Sequence, residues 1–363
     1  MARILFIAAH RPNRSPSQRF RFESYFDFLQ SNGYECKLKY IISEKTDRIF
    51  YHPKSLLRKS IIFLQCFLLR IWHVMISGGY DIIFIQREAF MTGSIFFEQM
   101  FKKSGAKIIF DFDDAIWKHD VSAANKKLGW LKRPGKTADI IALADVVIAG
   151  NSYLQNFAAR YNSHIVIIPT TIDTEKYTPR KHKSYIKKIC IGWSGSITTI
   201  RHFEMAIPVL LQLKEKYADA IYFNVIGDEK YYHHDLNIKG KAWNSATEVD
   251  DLNEFDIGIM PLPDDEWTKG KCALKGLQYM ALQIPTVMSP VGVNNEIIIQ
   301  GENGYLCSTN EEWFAALSLL IDDAALRSKT GIAARHTVEQ KFSIVAQENS
   351  YLDVFKRLIN TEK

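Results

Sequence analysis

Cysteine is scarce in this chain, with five residues among 363. They lie at positions 36, 66, 190, 272 and 307, and their spacing matches no metal-ligand pattern. Disulfide frameworks belong to oxidising compartments, so we expect these thiols to be reduced and the protein to be cytosolic. A long apolar run is also missing from the start of the chain. The short run Arg3–Ala9 predicts a first β-strand rather than a signal peptide.

Several catalytic patterns are missing as well. The chain has no Ser-His-Asp or metalloprotease motif, and no Gly-x-Gly-x-x-Gly follows the first predicted strand. These absences argue against hydrolase and dehydrogenase functions. Low-complexity segments and solenoid-length repeats are absent too, whereas 47% of the residues are hydrophobic. A chain of this length and composition is expected to form two domains with sizeable cores.

The formal net charge of +6 is unevenly distributed. Residues 1–180 contain 26 lysines and arginines against 16 acidic residues, whereas the remainder contains 20 against 24. A basic half beside an acidic half predicts a surface that meets anions. Nucleic acid, anionic lipid and sugar nucleotide are all candidates on this ground alone.

Apolar strands alternate with helical patterns along the chain. In the first half, the predicted strands are Arg3–Ala9, Glu35–Ile42, Asp81–Gln86, Lys107–Phe112, Val146–Ala149 and Ile165–Ile168. The helices predicted among them are Gln18–Ser31, Lys54–Ile76, Gly93–Lys103, Gly135–Ala144 and Tyr153–Tyr161. A second series has strands at Lys188–Trp193, Ile221–Ile226, Asp256–Met260 and Thr286–Ser289. This alternation predicts an α/β protein with two doubly wound parallel sheets.

A polar, basic segment separates the two series. We therefore predict a first domain over residues 1–174, a linker over 175–187 and a second domain over 188–340. The last segment, 341–363, includes Ile344–Ile359, whose apolar spacing is typical of a docking helix, and this helix is predicted to return to the first domain.

The most informative stretch runs from Pro261 to Gly304. An apolar strand leads through a polar loop into a helix, whose first turns carry Lys275 and Gln278, and a second strand ends in the loop 289–294. In a parallel sheet both loops lie at the carboxyl ends of the strands, where ligands bind. Free N–H groups at a helix start suit phosphate, and three lysines add positive charge there: Lys269, Lys271 and Lys275. The simpler alternative is a solvated loop followed by an ordinary helix.

This stretch resembles the donor-sugar signature of the retaining glycosyltransferases of family 4. The resemblance rests on four motifs in this order: Gly-Lys-Cys (270–272), Lys275, Gln-Tyr-Met-Ala (278–281) and Ser-Pro-Val-Gly-Val-Asn (289–294). It implies the GT-B fold, in which two Rossmann-like domains have a cleft between them. The family signature has two glutamates eight positions apart, and Gly270 and Gln278 occupy those positions here. An amide can bind ribose as the second glutamate does, whereas loss of the first leaves the sugar unspecified.

The resemblance assigns donor-binding residues throughout the second domain. They are Gly195, Ser196, Gly227, Cys272, Gln278, Val291, Gly292, Asn294 and Glu296. It also implies cations where charge builds on the departing diphosphate. Arg201, Lys271 and Lys275 are therefore predicted catalytic residues, and no metal or other cofactor is expected. For Glu296 the alternative role is to complement the dipole of a helix start.

The acidic motif Asp111-Phe112-Asp113-Asp114 follows another apolar strand. By itself it looks like the metal-binding Asp-x-Asp motif of the GT-A architecture. The donor-like stretch in the second half favours the GT-B interpretation, in which Asp113 acts in catalysis and Asp114 contacts the acceptor. Helix capping is the simpler role for at least one of these aspartates.

Basic residues follow the first strand. Ser17, Arg19 and Arg21 resemble an arrangement in this branch of the family, and Arg87 ends a strand at the same edge of the sheet. Arginine suits a phosphorylated acceptor such as a polyprenyl-diphosphate-linked glycan. A solvated basic surface is the alternative.

The predicted helix from residue 55 to 76 is strongly apolar. Charged and polar residues interrupt it too often for comfortable spanning of a bilayer: Arg58, Lys59, Gln65, Arg70 and His73. It would instead lie in a membrane interface with its basic residues at the rim, or pack as a buried helix on the sheet.

The resemblance implies a retaining, metal-independent hexosyltransferase. Its expected partners are a UDP- or GDP-sugar donor, a lipid-linked glycan acceptor and an anionic membrane surface, without nucleic acid. The expected place is the inner face of the cytoplasmic membrane, in cell-surface polysaccharide or lipopolysaccharide assembly. A nucleotide-sugar epimerase of the same fold and a non-catalytic polyanion- or membrane-binding module are the alternatives.

Overall fold

The computed structural model describes residues 1–51, 56–118, 133–180 and 188–360. Its contacts divide the chain into a first unit, Met1–Thr170 with Gln347–Lys363, and a second unit, Thr171–Ala346. The sequence places the first boundary at 174, whereas the structure already assigns residues 171–174 to the second unit. Ile172, for example, forms a β-bridge with Ser343. Residues 181–187 of the predicted linker lie outside the described residues.

The first unit is built on a parallel sheet. Its strands are β1 (Ala2–Ile7), β2 (Tyr34–Lys39), β3 (Ile82–Gln86), β4 (Lys107–Phe112), β5 (Val146–Ala149) and β6 (Ile165–Ile167). The described strands follow the order β2-β1-β3-β4-β5-β6. β3 reads as a continuous apolar run because it is buried on both faces. Since the chain proceeds in both directions from β1, the sheet is doubly wound, with its switch point between β1 and β3.

Helices cover this sheet. They are α1 (Pro16–Arg19), α2 (Phe26–Ser31), α3 (Glu44–Phe50), α4 (Leu56–Met75), α5 (Phe96–Lys102), α6 (Lys136–Leu143) and α7 (Ser152–Ala158). Ser43 caps α3 and Asn151 caps α7, each by accepting a hydrogen bond from a backbone N–H in the first turn.

The α4 helix turns several of its polar residues inward and several of its leucines outward. Lys59, Arg70 and His73 are buried, whereas Leu64 and Leu68 are each 57% exposed. Arg70 donates to the Ala8 carbonyl at 2.8 Å, and burial lowers its pKa to about 9. The prediction that basic residues lie at the rim of this helix is thus wrong for Lys59, Arg70 and His73, whose side chains are buried, whereas Arg58 is exposed. The alternative prediction, a helix packed on the sheet, describes the face that carries Arg70.

The final helix is α16 (Ile344–Asn360). From Gln347 onward it belongs to the first unit. Tyr351 packs on Tyr25 with ring centroids 4.4 Å apart, and Phe355 lies 5.9 Å from Tyr34. These buried rings attach the end of the chain to the core of the first unit.

The second unit contains another parallel sheet. Its strands are β7 (Ile189–Ser194), β8 (Ile221–Ile226), β11 (Ile257–Met260), β12 (Thr286–Met288) and β13 (Tyr305–Leu306), in the order β13-β12-β11-β7-β8. An antiparallel pair, β9 (Tyr232–His233) and β10 (Ile238–Lys239), lies between β8 and β11 in the chain. The switch point of this sheet falls between β7 and β11.

The helices of the second unit follow the same alternation. They are α8 (Ile200–Glu204), α9 (Ile207–Tyr217), α10 (Glu248–Leu252), α11 (Glu266–Lys269), α12 (Leu274–Ala281), α13 (Asn294–Ile297), α14 (Asn310–Asp322) and α15 (Ala324–Thr337). Asp265 and Thr309 begin capping boxes at α11 and α14. The prediction of two Rossmann-like, doubly wound α/β units is confirmed.

Candidate functional site

Two glycines bring backbone together at the carboxyl ends of β7 and β8 in the second unit. A Cβ atom on Gly195 would lie 2.2 Å from the Trp193 ring, and one on Gly227 would lie 2.4 Å from the Gly195 carbonyl oxygen. Gly227 also has a φ of +134°, a conformation that L side chains rarely adopt. The loops after β7 and β8 therefore approach each other closely. The Gly195 N–H donates to the Ile226 carbonyl at 2.9 Å, and the Gly227 N–H donates to the Lys241 carbonyl at 2.7 Å.

Lys275 lies beside the first of these loops. Its Nζ is 3.4 Å from Thr199 Oγ1 and 4.5 Å from the centroid of the Trp193 ring. Thr199 in turn forms a capping box with Ser196. The indole of Trp193, which sequence reasoning missed, thus forms a platform under both Gly195 and Lys275.

Lys275 is strongly perturbed. Burial, and then the charge of Lys271, lowers its pKa to about 7. Within the described ranges, no carboxylate forms an ion pair with it. A partly buried ammonium group without a counter-ion is destabilised until an anion arrives, so this position favours a bound phosphate.

The charges of the three predicted cations all affect the pKa of one histidine. His202, in α8, has its pKa lowered to about 4 by burial and by the charges of Lys275, Lys271 and Arg201. Neither ring nitrogen has a hydrogen-bond partner among the described residues. Sequence reasoning did not single out this imidazole, which stays neutral at physiological pH.

The start of α12 is set by an unusual backbone. Ala273, the residue before the helix, has a φ of 54° in the left-handed region. This conformation costs an alanine about 1–2 kcal/mol, and such strain is concentrated at functional sites. It turns the chain from the Lys271–Cys272 loop into the helix, where the free N–H groups and Lys275 follow directly. Cys272 itself is buried.

The loop after β12 packs against the end of α11. Gly292 has a φ of 55°, and a Cβ there would lie 2.6 Å from the Lys269 carbonyl oxygen. Asn294 is buried and donates its side-chain amide to the Ser289 carbonyl at 2.9 Å. Val291 is buried too, whereas Glu296 lies exposed in the first turn of α13. Of the predicted donor-binding residues in this loop, Val291, Gly292 and Asn294 therefore fix the conformation of its backbone.

Gln278 is part of a buried polar cluster. Its amide nitrogen donates to Glu248 at 3.1 Å and to the Tyr177 hydroxyl at 3.0 Å. Glu248 also accepts from Tyr177 at 2.7 Å and from the Trp243 indole at 2.9 Å. Gln278 is only 5% exposed, so it reaches a ligand only by exchanging these partners. A carboxylate thus lies beside position 278, but it belongs to Glu248.

Replacing Gln278 with glutamate should reduce stability. The new carboxylate would lie beside that of Glu248, in place of the amide that now donates to it. Because two buried negative charges repel each other, one of the two carboxyl groups would have a raised pKa. We expect a loss of about 1–3 kcal/mol in the free energy of unfolding above neutral pH, shrinking as the pH falls through the raised pKa. Urea unfolding across pH measures this. Gln278→Met is the uncharged control, and an equal loss in both variants at every pH would contradict the expectation.

Predicted acceptor residues meet at the edge of the first sheet. Arg87 donates to Asp113 at 2.8 Å and lies 3.7 Å from Asp114. Burial raises the pKa of Asp113, but the charge and hydrogen bond of Arg87, with Ser17 and others, bring it below its ordinary value. Arg87 has a φ of 61°. One network of ion pairs and hydrogen bonds therefore joins Ser17, Arg87, Asp113 and Asp114. The sequence places these residues after the strands of the first sheet, but it does not predict which of them pair.

Arg21 does not belong to that surface. It is fully buried, is paired with Asp111 and donates to the Ile168 carbonyl. Burial raises the pKa of Asp111, and the Arg21 charge opposes that rise. The predicted acceptor role of Arg21 is corrected to a structural one, because the core holds its guanidinium out of reach of a ligand. Arg19 lies partly exposed over the Phe20 ring, at 4.6 Å.

Comparison with known proteins agrees with this geometry. Residues 188–323 match the family model described as "Glycosyl transferases group 1". An uncharacterized glycosyltransferase of Methanocaldococcus jannaschii is 25% identical over 302 residues, which cover 77% of this chain and 76% of that protein.

Two solved structures illustrate the fold. Sucrose-phosphate synthase of Thermosynechococcus elongatus has a TM-score of 0.67 at 13% identity, covering 99% of this chain and 100% of that one. HepE of Anabaena, solved with UDP-glucose, has a TM-score of 0.68 at 13% identity, covering 98% and 100%. Residues 188–323 are therefore similar to the glycosyltransferase group 1 family, and the chain has the fold of these solved structures, the GT-B fold of two Rossmann-like units.

Proposed function

We propose that the protein transfers a sugar, with retention of configuration, from a nucleotide diphosphate sugar to a glycan acceptor. The observation that carries this proposal is the position of Lys275, whose Nζ lies 4.5 Å from the centroid of the Trp193 ring and 3.4 Å from Thr199 Oγ1, at the switch point of the second unit. HepE was solved with UDP-glucose. By analogy, a UDP-sugar or a GDP-sugar is the proposed donor of this protein.

The proposed chemistry depends on stabilising the leaving group. The acceptor hydroxyl attacks the anomeric carbon on the face that the diphosphate leaves, the bond from that carbon to the diphosphate oxygen breaks, and the proton passes to the departing phosphate. The diphosphate gains negative charge in this step. Fixed cations and the first N–H groups of α12 favour that charge, so the proposal requires neither a protein general base nor a metal.

The first unit is the proposed acceptor side. Asp113 is ionised and held by Arg87 and Ser17, so it can accept a hydrogen bond from an acceptor hydroxyl and orient it. Arg87 and the partly exposed Arg19 would meet the phosphate groups of a lipid-linked acceptor.

Two other functions predict different outcomes: an epimerase converts donor without acceptor, and a non-catalytic module binds polyanions without converting any nucleotide sugar.

A true donor should stabilise the native protein. At a concentration one hundred times its dissociation constant, a ligand specific for the folded state adds about 2.7 kcal/mol to the free energy of unfolding. A thermal-unfolding panel of UDP- and GDP-sugars, with the free sugars as controls, would identify the donor. If no nucleotide sugar shifts the melting temperature while polyanions do, the proposal fails in favour of the binding module.

The outward face of α4 supports peripheral attachment at the cytoplasmic face of an anionic membrane. The segment Leu57–Gly79 is long and apolar enough to cross a membrane, judged by length and composition alone. Its inner face, however, packs on the sheet through Cys66, Arg70 and His73. A helix attached in this way would lie on the membrane and insert its exposed leucines, and a lipid-linked acceptor would be found there.

Charges on the outward face should therefore weaken membrane binding. Leu64→Glu with Leu68→Glu removes two inserting side chains and adds repulsion from anionic lipid, so we expect flotation with anionic vesicles to be lost. Gln65→Glu, which adds charge beside that face, is the matched control and should retain most binding. Wild-type binding should weaken with salt. If the double variant Leu64→Glu with Leu68→Glu floated with the vesicles as well as the Gln65→Glu control does, the proposal would be contradicted. Absence of wild-type flotation at low salt would contradict it too.

A further inference from the structure

An apolar pocket of about 360 Å³ lies between α4 and α5. Five phenylalanine rings line it: Phe63 and Phe67 of α4, Phe90 after β3, and Phe96 and Phe97 of α5. Phe63 and Phe90 have centroids 5.2 Å apart, as do Phe67 and Phe97. Because these rings pack edge to face against one another, the pocket is preformed and its walls are stiff.

The lining determines the kind of ligand. Thr92 and Ser94 are the lining residues with a polar side chain, and the Ser94 hydroxyl already accepts from the Phe96 N–H at 3.1 Å. A sugar or a nucleotide base would leave its polar groups unpaired against phenylalanine. The volume suits a small apolar group or part of a chain.

The pocket adjoins the outward face of α4. Phe63 precedes the exposed Leu64 by one residue, and Phe67 precedes the exposed Leu68 in the same way. A successive residue lies about 100° further around a helix, so each ring occupies the flank next to a leucine. A hydrocarbon chain that leaves a membrane along this face would therefore enter the pocket without crossing water.

A cation lies beside the polar part of the lining. Arg133 Nε donates to the carbonyl of Gly93, between Thr92 and Ser94, at 3.1 Å. Its side chain is 54% exposed and paired with Asp139. Surface pairs of this kind contribute little, so a phosphate can compete with the carboxylate for this guanidinium. Apolar walls beside an exposed arginine fit an amphiphile with an anionic headgroup.

We propose that this pocket binds the hydrocarbon chain of an isoprenoid phosphate, the lipid part of the acceptor. This inference rests on the proposed function. Stiff aromatic walls favour an isoprenoid over a straight acyl chain for two reasons. Its methyl branches fill the spaces between the rings, and its double bonds leave fewer rotors to immobilise.

The test uses farnesyl phosphate in detergent-free buffer, with dodecyl phosphate and inorganic phosphate as matched probes. Calorimetric titration should show farnesyl phosphate binding about tenfold more tightly than dodecyl phosphate, and inorganic phosphate binding far more weakly. Ser94→Trp and, separately, Phe63→Trp fill the pocket and should weaken farnesyl phosphate about tenfold or more. Ser31→Trp, at an exposed serine ending α2, is the control and should bind as the wild type does.

Unchanged farnesyl phosphate affinity in both filled variants, each with a wild-type melting temperature, would overturn the assignment. Equal affinity for dodecyl phosphate would overturn the isoprenoid preference. Donor binding is measured on the same samples. If a nucleotide sugar stabilises the protein but farnesyl phosphate does not bind, the pocket assignment fails and the proposed function stands. If farnesyl phosphate binds to the pocket but no nucleotide sugar has an effect, the proposed function fails.

Discussion

Replacing Lys275 with alanine should lower turnover of the nucleotide sugar by about 30- to 1,000-fold, equivalent to about 2–4 kcal/mol of barrier. The ammonium lies on the Trp193 ring, 3.4 Å from the Thr199 hydroxyl at the turn after β7. In the proposed reaction, an ammonium at that position would stabilise the charge that develops on the departing diphosphate. Initial rates of nucleotide release by the purified protein, at saturating donor and acceptor, measure the loss.

The loss of activity should not come from unfolding. Burial and the neighbouring Lys271 charge lower the pKa of Lys275 to about 7. Its charge therefore costs stability fully below that pH, and the cost disappears only as the pH rises toward the pKa of an unfolded lysine. Removing the ammonium therefore relieves a cost at neutral pH, and the melting temperature should hold or rise. A strongly lowered melting temperature together with unchanged turnover in the folded fraction would contradict the catalytic role.

The same group predicts a pH dependence. In the free protein the charged fraction of Lys275 falls as the pH rises through about 7, so nucleoside diphosphate binding should weaken over that range. Above neutral pH, binding should take up protons because the diphosphate restores the charge. Lys275→Arg is the matched control, since a guanidinium stays charged and removes this source of proton uptake. Calorimetry in buffers of different ionisation enthalpy measures that uptake.

The strands were predictable because parallel strands buried on both faces appear as continuous apolar runs. The bounds Lys107–Phe112 and Val146–Ala149, for example, agree with β4 and β5. The order of the loops then locates the candidate site at the carboxyl ends of the strands. The partners of its side chains were not predictable, since Glu248 and Gln278 lie 30 residues apart and meet only through tertiary packing.

Buried charges account for most of the remaining differences. Residues 59, 66, 70 and 73 recur at helical spacing and share one face of α4, and residues 57, 61, 64 and 68 share the other. Periodicity therefore separates the two faces, but it cannot say which one packs on the sheet. The general rule that charged side chains are exposed would place the face with Arg70 toward solvent. That face is buried instead, because Arg70 hydrogen-bonds to the Ala8 carbonyl inside the first unit.

Replacing Arg21 with leucine should lower the free energy of unfolding by about 3–5 kcal/mol. The guanidinium holds the fully buried Asp111 and the Ile168 carbonyl, so its loss leaves a carboxylate in the core without a counter-ion. Burial already raises the pKa of Asp111, and the variant should raise it further. The loss should therefore be greatest above that pKa and shrink as the pH falls through it. Urea unfolding followed by circular dichroism measures both effects.

Two further variants separate charge from packing. Arg21→Leu combined with Asp111→Leu removes both partners, and it should recover a large part of the lost stability because no unpaired charge stays in the core. Arg19→Leu, at the partly exposed arginine two residues earlier, should change stability by about 0.5 kcal/mol or less. If the double variant were less stable than Arg21→Leu at neutral pH, the cost would come from lost packing and hydrogen bonds at position 21. The buried carboxylate would then contribute little to it.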